Sequence, residues 1–548
     1  MRSKLLLPLV AAFCLLLTAQ AYGQSYAITN ARIVTVSGAT IEKGAVVIRN
    51  GLIEAVGANV APPADAQIFD AAGLTVYPGF IDALTNLGMP AAPARAGGPG
   101  GGQAAQPTGT TPTSNSNYPA GLRPEDEAVN DLRAGEAQFE ANRNAGFTTV
   151  LTTGRSGIFN GRSAVIDLAG ETVSAMVIKS PFAQHITFST IGGGQYPASL
   201  LGTFAAIRQM FYDAQRQQEI EKAYAANPRG MKRPDADRSL VALYPAINRE
   251  IPAVFAANRE IEIIRALDLI KEFKLNGVIA GGAESWKVAD RLKAQNVSVL
   301  LSLNFPKRTA SSSPDADPEP LETLRFRAEA PKCAAKLAAA GVRFAFQSDN
   351  IRSLGDFFVN AGKAVESGLN KEAAIRAMTL GAAELLGVDK TLGSIEAGKI
   401  ANIVVVKGDV FGKDRAVTHV FVDGKYFEQK EPPKRDANPS GASGPSASGP
   451  SVTGRYTVTI EVPGQPLAAT LTFSQSGPTL TGTMVSQLGT SQIKNGRVSA
   501  DGFSFGSSVE FGGAAIDISV SGKVSGDQIS GTIDSPQGAV PFSGTKNP

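Results

Sequence analysis

The side chains able to do chemistry are few, and their scarcity is the first constraint. Histidine occurs at only two of 548 positions, His185 and His419. A tightly held zinc takes three or four protein ligands, so histidine alone cannot build such a site here. His419 lies within VTHVFVDG and reads as a structural strand residue. His185 follows a short apolar stretch, and two readings stay open for it: a group near a site, or a packed core residue. Ser348-Asp349 follows the apolar run FAFQ, and a carboxylate at a strand end can accept a proton from water or substrate. Asp82 stands in the apolar run after Pro78-Gly79. Cys333 is the one cysteine beyond the first 23 residues, so it has no disulfide partner and is expected to pack as a small hydrophobe. Gly192-Gly193-Gly194 lacks the GK[ST] of a phosphate loop. Asp315, Asp317 and Glu319, in SSSPDADPEP, read as a solvated acidic loop, with a calcium site as the alternative.

The elements that must position these groups follow from periodicity and punctuation. Residues 1–23 have a basic start, a short apolar core and a small-residue exit, the plan of a secretory signal peptide. Residues 26–77 alternate as strands, with a hairpin at Asn50-Gly51. Residues 90–120 are rich in Gly, Pro, Ser and Thr and poor in large apolar groups, so they read as a long loop. From 121 to 395 strand and helix patterns alternate. FTTVLT, AVFAAN, VIAGG, 297–303 and FAFQ are among the strands and 204–224, 261–273 and 371–386 are among the helices. Such alternation implies crossover helices on a parallel sheet, and at this length a closed (β/α)8 barrel of the TIM type. Residues 393–430 return to short strands. A Ser/Gly/Pro linker covers 431–453. Residues 454–548 carry evenly spaced short strands with tight turns, the pattern of an antiparallel all-β barrel or sandwich.

Composition excludes several classes. A net charge of +3 without a dense basic cluster gives no nucleic-acid footprint. No segment after the signal reaches transmembrane length without charge. The expected location is exported, periplasmic or extracellular. The sequence specifies no oligomeric state.

Two stretches carry a family resemblance. PGFIDALTNLG at 78–88 resembles the opening of the barrel in the amidohydrolase superfamily, whose imidazolonepropionase-like and dihydroorotase-like branches commonly read PGFID-x-H-x-H. AAIRAMTLGAAELLGVDKTLGSIEAGKIANIVVVKGDVF, followed by VTHVFVDGKYF, is similar to the end of the same family. The resemblance covers roughly residues 26–430. It implies a barrel over 78–392 and a composite β-sandwich formed by 26–77 with 393–430. It also implies hydrolysis of non-peptide carbon–nitrogen bonds by a metal-bound hydroxide. In the family two histidines on the first strand share one face and bind a divalent metal such as zinc.

Here Leu84 and Asn86 stand at those two positions, Ala256 at a third and Gly281 at a fourth. Asp349 matches the family's proton-accepting aspartate, and Asp82 is kept. The resemblance offers Lys179 as a bridging lysine and His185 as a residual ligand, against packing roles for both. The metal site is thus expected to be degenerate, and no cofactor is assigned unless the protein is an active zinc-type hydrolase. Three functions remain: a hydrolase using Asp349, a barrel that binds a small amide-like ligand without cleaving it, and a secreted interaction protein that uses the barrel as scaffold.

Overall fold

The computed structural model describes residues 25–90, 121–135, 137–154, 157–190, 196–307, 319–349, 351, 353–429, 452–460, 467–477, 479–487, 489–499, 502–511, 514–535 and 538–547. The expected signal peptide, nearly all of the 90–120 loop and of the 431–453 linker, the triple glycine at 192–194, and Asp315 and Asp317 lie outside the described residues. The chain forms two compact units, one on either side of the linker.

The first unit opens with β1 (Tyr26–Ile33), β2 (Ile41–Arg49), β3 (Leu52–Gly57), β4 (Gln67–Asp70) and β5 (Thr75–Pro78). Asn50 and Gly51 both take positive φ, 52° and 81°, which is why Asn-Gly forms the tight turn between β2 and β3. Next come β6 (Phe80–Thr85), β7 (Phe147–Thr152), β8 (Phe159–Arg162), β9 (Ala164–Asp167), β10 (Val177–Lys179) and β11 (Gln184–Thr187). They are followed by β12 (Ala253–Ala257), β13 (Gly277–Gly281), β14 (Ser298–Ser302) and β15 (Phe344–Gln347). The chain returns through β16 (Ile403–Lys407), β17 (Ala416–Val422) and β18 (Lys425–Glu428).

These strands make three sheets. One has eight strands in the order β18-β17-β16-β5-β1-β2-β3, with β4 on β1. It joins the two ends of the unit, because β16 pairs antiparallel with β5 from Ile403↔Pro78 to Val406↔Thr75. Ile28, Ile48, Val76, Val405 and Phe421 share its core. The second sheet runs β10-β9-β7-β6 and the third β15-β14-β13-β12-β11-β8. β11 through β15 are parallel neighbours, as are β6 and β7, with helices such as Glu260–Phe273 and Leu354–Glu366 between strands. The fold is therefore mixed α/β.

Three strands depart from uniform alternation. β8 runs antiparallel to β11, and β9 antiparallel to β7 and β10. Only Ser163 separates β8 from β9, so no crossover helix fits between them. The helical stretch 371–386 is two helices, Lys371–Ala377 and Leu380–Leu386. Thr379 breaks it: its hydroxyl donates to the Ile375 carbonyl at 2.7 Å, and its ψ is −108°.

Asn402 ties the sheets together. Its Nδ2 donates to Asp167 Oδ1 at 2.9 Å and to Thr149 Oγ1 at 3.0 Å. Its Oδ1 accepts from the Asp423 amide at 2.7 Å, and its carbonyl accepts from the Gly79 amide at 2.7 Å. Asp167 Oδ2 is sealed from water without a hydrogen-bond partner.

The second unit is a closed eight-stranded all-β barrel. Its strands, named by their ends, run from Gly454–Ile460 through Leu467–Ser476, Thr479–Ser486, Lys494–Ser499, Gly502–Phe511, Ala514–Ser525 and Gln528–Ser535 to Gly538–Lys546. The last pairs with the first from Lys546↔Tyr456 to Phe542↔Ile460, which closes the ring and removes both edges. Tyr456, Phe473, Phe503 and Phe505 fill the interior, as the alternation of apolar with Thr and Ser requires.

Burial sets a pH dependence at the Asn402 junction. It pushes the Asp167 carboxyl from 3.8 to about 7, against the downward pull of Thr149 and Asn402. A raised folded-state pKa favours the protonated native form, so stability from this group is full below the ordinary carboxylate range. It is lost as pH rises through about 7. Asp167→Asn should flatten that slope, which urea unfolding at pH 4.5, 6 and 7.5 measures.

Candidate active site

Parallel strands deliver functional groups at their C-terminal ends, and β6 and β15 meet there through side chains. The carboxylate of Asp82, fully buried on β6, accepts the Ser348 amide on Oδ1 at 2.9 Å and the Ser348 hydroxyl on Oδ2. The Leu84 amide also donates to Asp82 Oδ1, at 3.3 Å. Burial raises the Asp82 carboxyl to about 7, the Ser348 and Leu84 donors oppose the rise, and the charge of Asp349 adds to it.

Asp349 follows directly and is half-buried. Its amide donates to Gln347 Oε1 at 3.1 Å, and Gln347 Nε2 donates to the Leu300 carbonyl on β14 at 3.3 Å. The turn carrying Asp349 is thus pinned to β14 by one side chain and to β6 by another. The sequence pointed to Asp349 and Asp82 separately. It did not identify Ser348 as the link between them, although Ser348 sits beside Asp349 in the same motif.

The other positions disperse. Leu84 packs in an apolar cluster with Leu151, Val254, Val278 and Leu300. Asn86 spends its Nδ2 on the Thr153 carbonyl at 2.9 Å, fastening the ends of β6 and β7. Ala256 is solvent-exposed on β12, level with Thr187 on β11 and Ala280 on β13. Gly281 has φ +96°, and a Cβ there would collide with Asn258 Oδ1. A side chain at 281, histidine included, would be strained by that backbone and would need the Asn258 side-chain amide to move.

His185 is a core residue. Its Nε2 is 2.8 Å from Ser163 Oγ, and burial drops its pKa to about 3, so the ring is neutral at physiological pH. Lys179 caps the helix Leu380–Leu386: its ammonium donates to the Leu386 carbonyl at 3.2 Å and lies 5.3 Å over the Phe182 ring. Gly387, at φ +64°, leaves the room that ammonium occupies. His419 stacks edge-on against Phe69 in the eight-stranded sheet, with ring centroids 5.2 Å apart. Cys333 is buried with its thiol pushed up by burial, which keeps it protonated and inert. Glu319 pairs with Arg327 at 2.9 Å.

A divalent metal does not fit this set. Leu84, Ala256 and Gly281 offer no donor, and Asn86, Lys179 and His185 are committed elsewhere. Among the described residues no group of three or more His, Cys, Asp or Glu side chains is placed to hold a metal ion. What remains is two carboxylates, Asp82 and Asp349, on a hydrogen-bonded frame.

The clamp has a measurable worth. Ser348→Ala removes one of the three donors to a buried carboxylate. It should cost about 1–3 kcal/mol of stability and raise the Asp82 pKa further, checked by chemical denaturation and by carboxyl titration.

Comparisons with known proteins agree with the fold. Residues 319–426 match the amidohydrolase family. An amidohydrolase from Thermotoga maritima superimposes with a TM-score of 0.59 at 24% identity, covering 74% of this chain and 100% of that one. A Xaa-Pro dipeptidase with bound methionine in its active site gives a TM-score of 0.43 at 18% identity, over 74% and 100% of the two chains. A molinate hydrolase gives 0.44 at 16%, over 74% and 95%. No curated protein matches the chain by sequence. The stretch 319–426 is thus similar to the amidohydrolase family, and the unit around it shares the fold of the Thermotoga maritima amidohydrolase.

Proposed function

We propose that this protein is an exported amidohydrolase-fold binder that holds a small amide-like ligand at the strand ends without cleaving it. In this reading the second and third sheets act as one barrel of the (β/α)8 type. The observation that carries it is the fate of positions 84 and 86: one is an apolar core residue, and the other is an amide already bonded to the Thr153 carbonyl. The exposed Ala256 supports it as well, since a small side chain there leaves room beside Thr187 on the neighbouring strand.

A second reading rests on Asp349. A hydrolase keeping this carboxylate would use it to take a proton from water, beside Asp82 with its pKa near 7. The two readings differ in measurable ways. Under the binding reading the purified protein holds no stoichiometric zinc or manganese, and amides and dipeptides are not turned over. Asp349→Ala then leaves the background rate unchanged. Stoichiometric metal, or turnover lost in Asp349→Ala, sinks the binding reading.

Export is part of the proposal and rests on residues 1–23. Expressed with its own N-terminus in a Gram-negative host, the chain should be recovered outside the cytoplasm, with Cys14 absent from the mature mass. A cytoplasmic full-length product would refute it.

A further inference from the structure

A second cleft in the first unit lies apart from Asp349 and Asp82. It has a volume of about 530 Å³ and is lined by Glu125, Glu127, Asn130, Arg162 and Arg238 together with Val241, Ala242 and Pro245. A volume of that order suits a small organic ligand.

One wall is held rigidly. The Ile158 and Phe159 amides donate to the Gly121 carbonyl, and the Arg162 amide donates to the Asp126 carbonyl at 2.7 Å. A bridge also pairs Glu127 with Arg162. Gly161, at φ +80°, permits this approach, because a Cβ there would collide with the Asp126 carbonyl. The other wall is the short helix Arg238–Ala242 and the turn after it. Asp237 starts that helix by accepting the Ser239 amide at 2.9 Å and the Leu240 amide at 3.3 Å. Arg238 then projects from the first turn, and Val241 is left 41% exposed.

The lining charges balance, but only one pair of them is joined by a salt bridge. Arg162 forms an ion pair with Glu127. Glu125 and Arg238 form no salt bridge with any described residue, and Glu125 Oε2 and Arg162 Nε are buried without hydrogen-bond partners. Asp126 also feels Arg238, together with Arg123, Glu125 and Asp131. The result is a carboxylate on one wall and an exposed guanidinium on the other, neither in a salt bridge with a described residue, with aliphatic groups beside them. Unsatisfied polar atoms are costly and rare in native proteins. A ligand carrying both a cation and an anion would pair the Glu125 carboxylate and the Arg238 guanidinium at once.

We infer that this cleft binds a small zwitterion, a free amino acid or short peptide with an aliphatic side chain. Its ammonium group meets Glu125 after rotation of the carboxylate toward the cleft. Its carboxylate meets Arg238, a guanidinium suited to two parallel hydrogen bonds. Its side chain lies against Val241, Ala242 and Pro245.

Isothermal titration calorimetry of the full chain with leucine and leucyl-leucine tests this. The comparison ligands are N-acetyl-leucine, leucine amide and N-acetyl-leucine amide, which lack one or both charges. Binding is expected for the zwitterions, weaker by roughly tenfold or more when either charge is removed. The same loss is expected in Arg238→Gln, whose exposed side chain the fold tolerates, and in Glu125→Gln, with unchanged thermal melts. Asp349→Asn should leave this binding intact, which separates the cleft from the strand-end site. No heat at millimolar leucine or leucyl-leucine would overturn the inference. So would binding that survives both cleft variants, or binding lost only in Asp349→Asn.

Discussion

The carboxylate of Asp82 is the pin on which the first unit's candidate site depends. Burying a charge in a protein interior is costly unless donors surround it. Asp82 gathers three: two from Ser348 and one from the Leu84 amide. Two of those donors come from a residue 266 positions away. The bond therefore joins the start of the strand system to its end, between strands of different sheets. Because Ser348 is fixed, Asp349 is fixed, and because the Leu84 amide is engaged, the backbone leading to Asn86 is fixed too. The geometry of the site is thus set by a hydrogen-bonded carboxylate.

That clamp explains why the family likeness was legible in sequence. The stretches that hold Asp82 and Ser348-Asp349 are short and apolar, and the first is punctuated by Pro78-Gly79, so they stand out in the sequence. The closed β module was legible for a similar reason: alternation with tight turns leaves few arrangements. Other features gave no such signal. FNGR, which becomes β8, has neither the run nor the alternation of a strand, and it pairs only because β11 lies beside it. The break between Ala377 and Leu380 has no proline, and arises from a threonine hydroxyl that competes for a helical carbonyl. At Gly281 the sequence shows a missing side chain, whereas its cause, a positive φ against Asn258, exists only in three dimensions. His185 was open to two readings because a histidine's role is set by its neighbour, and Ser163 is 22 positions away.

Two buried carboxylates with pKa values near 7 sit in one unit, and their surroundings separate their roles. Asp167 has one oxygen satisfied and one sealed without a partner, beside the returning strand domain. Asp82 has both oxygens satisfied, beside Asp349. Shifted pKa values often mark functional groups, yet structural networks shift them as well. Asp167 belongs to the structural kind, because its partners Thr149 and Asn402 are interior groups that fasten sheets. Asp82 shares that fastening duty, so its pKa is no evidence of catalysis by itself.

Magnitudes decide what the surviving Asp349 can do. General base assistance contributes about 10²–10⁴ in rate. A metal adds more, because it lowers the pKa of bound water from 15.7 to about 7 and supplies hydroxide at neutral pH. The residues here do not fit a metal, so the base would act on water that holds its proton tightly. A frame that still positions a carboxylate can orient a hydrogen-bonding ligand at no such disadvantage. Recognition needs donors and acceptors in fixed places, and the bonds from Gln347 to β14 and from Ser348 to β6 supply that fixity.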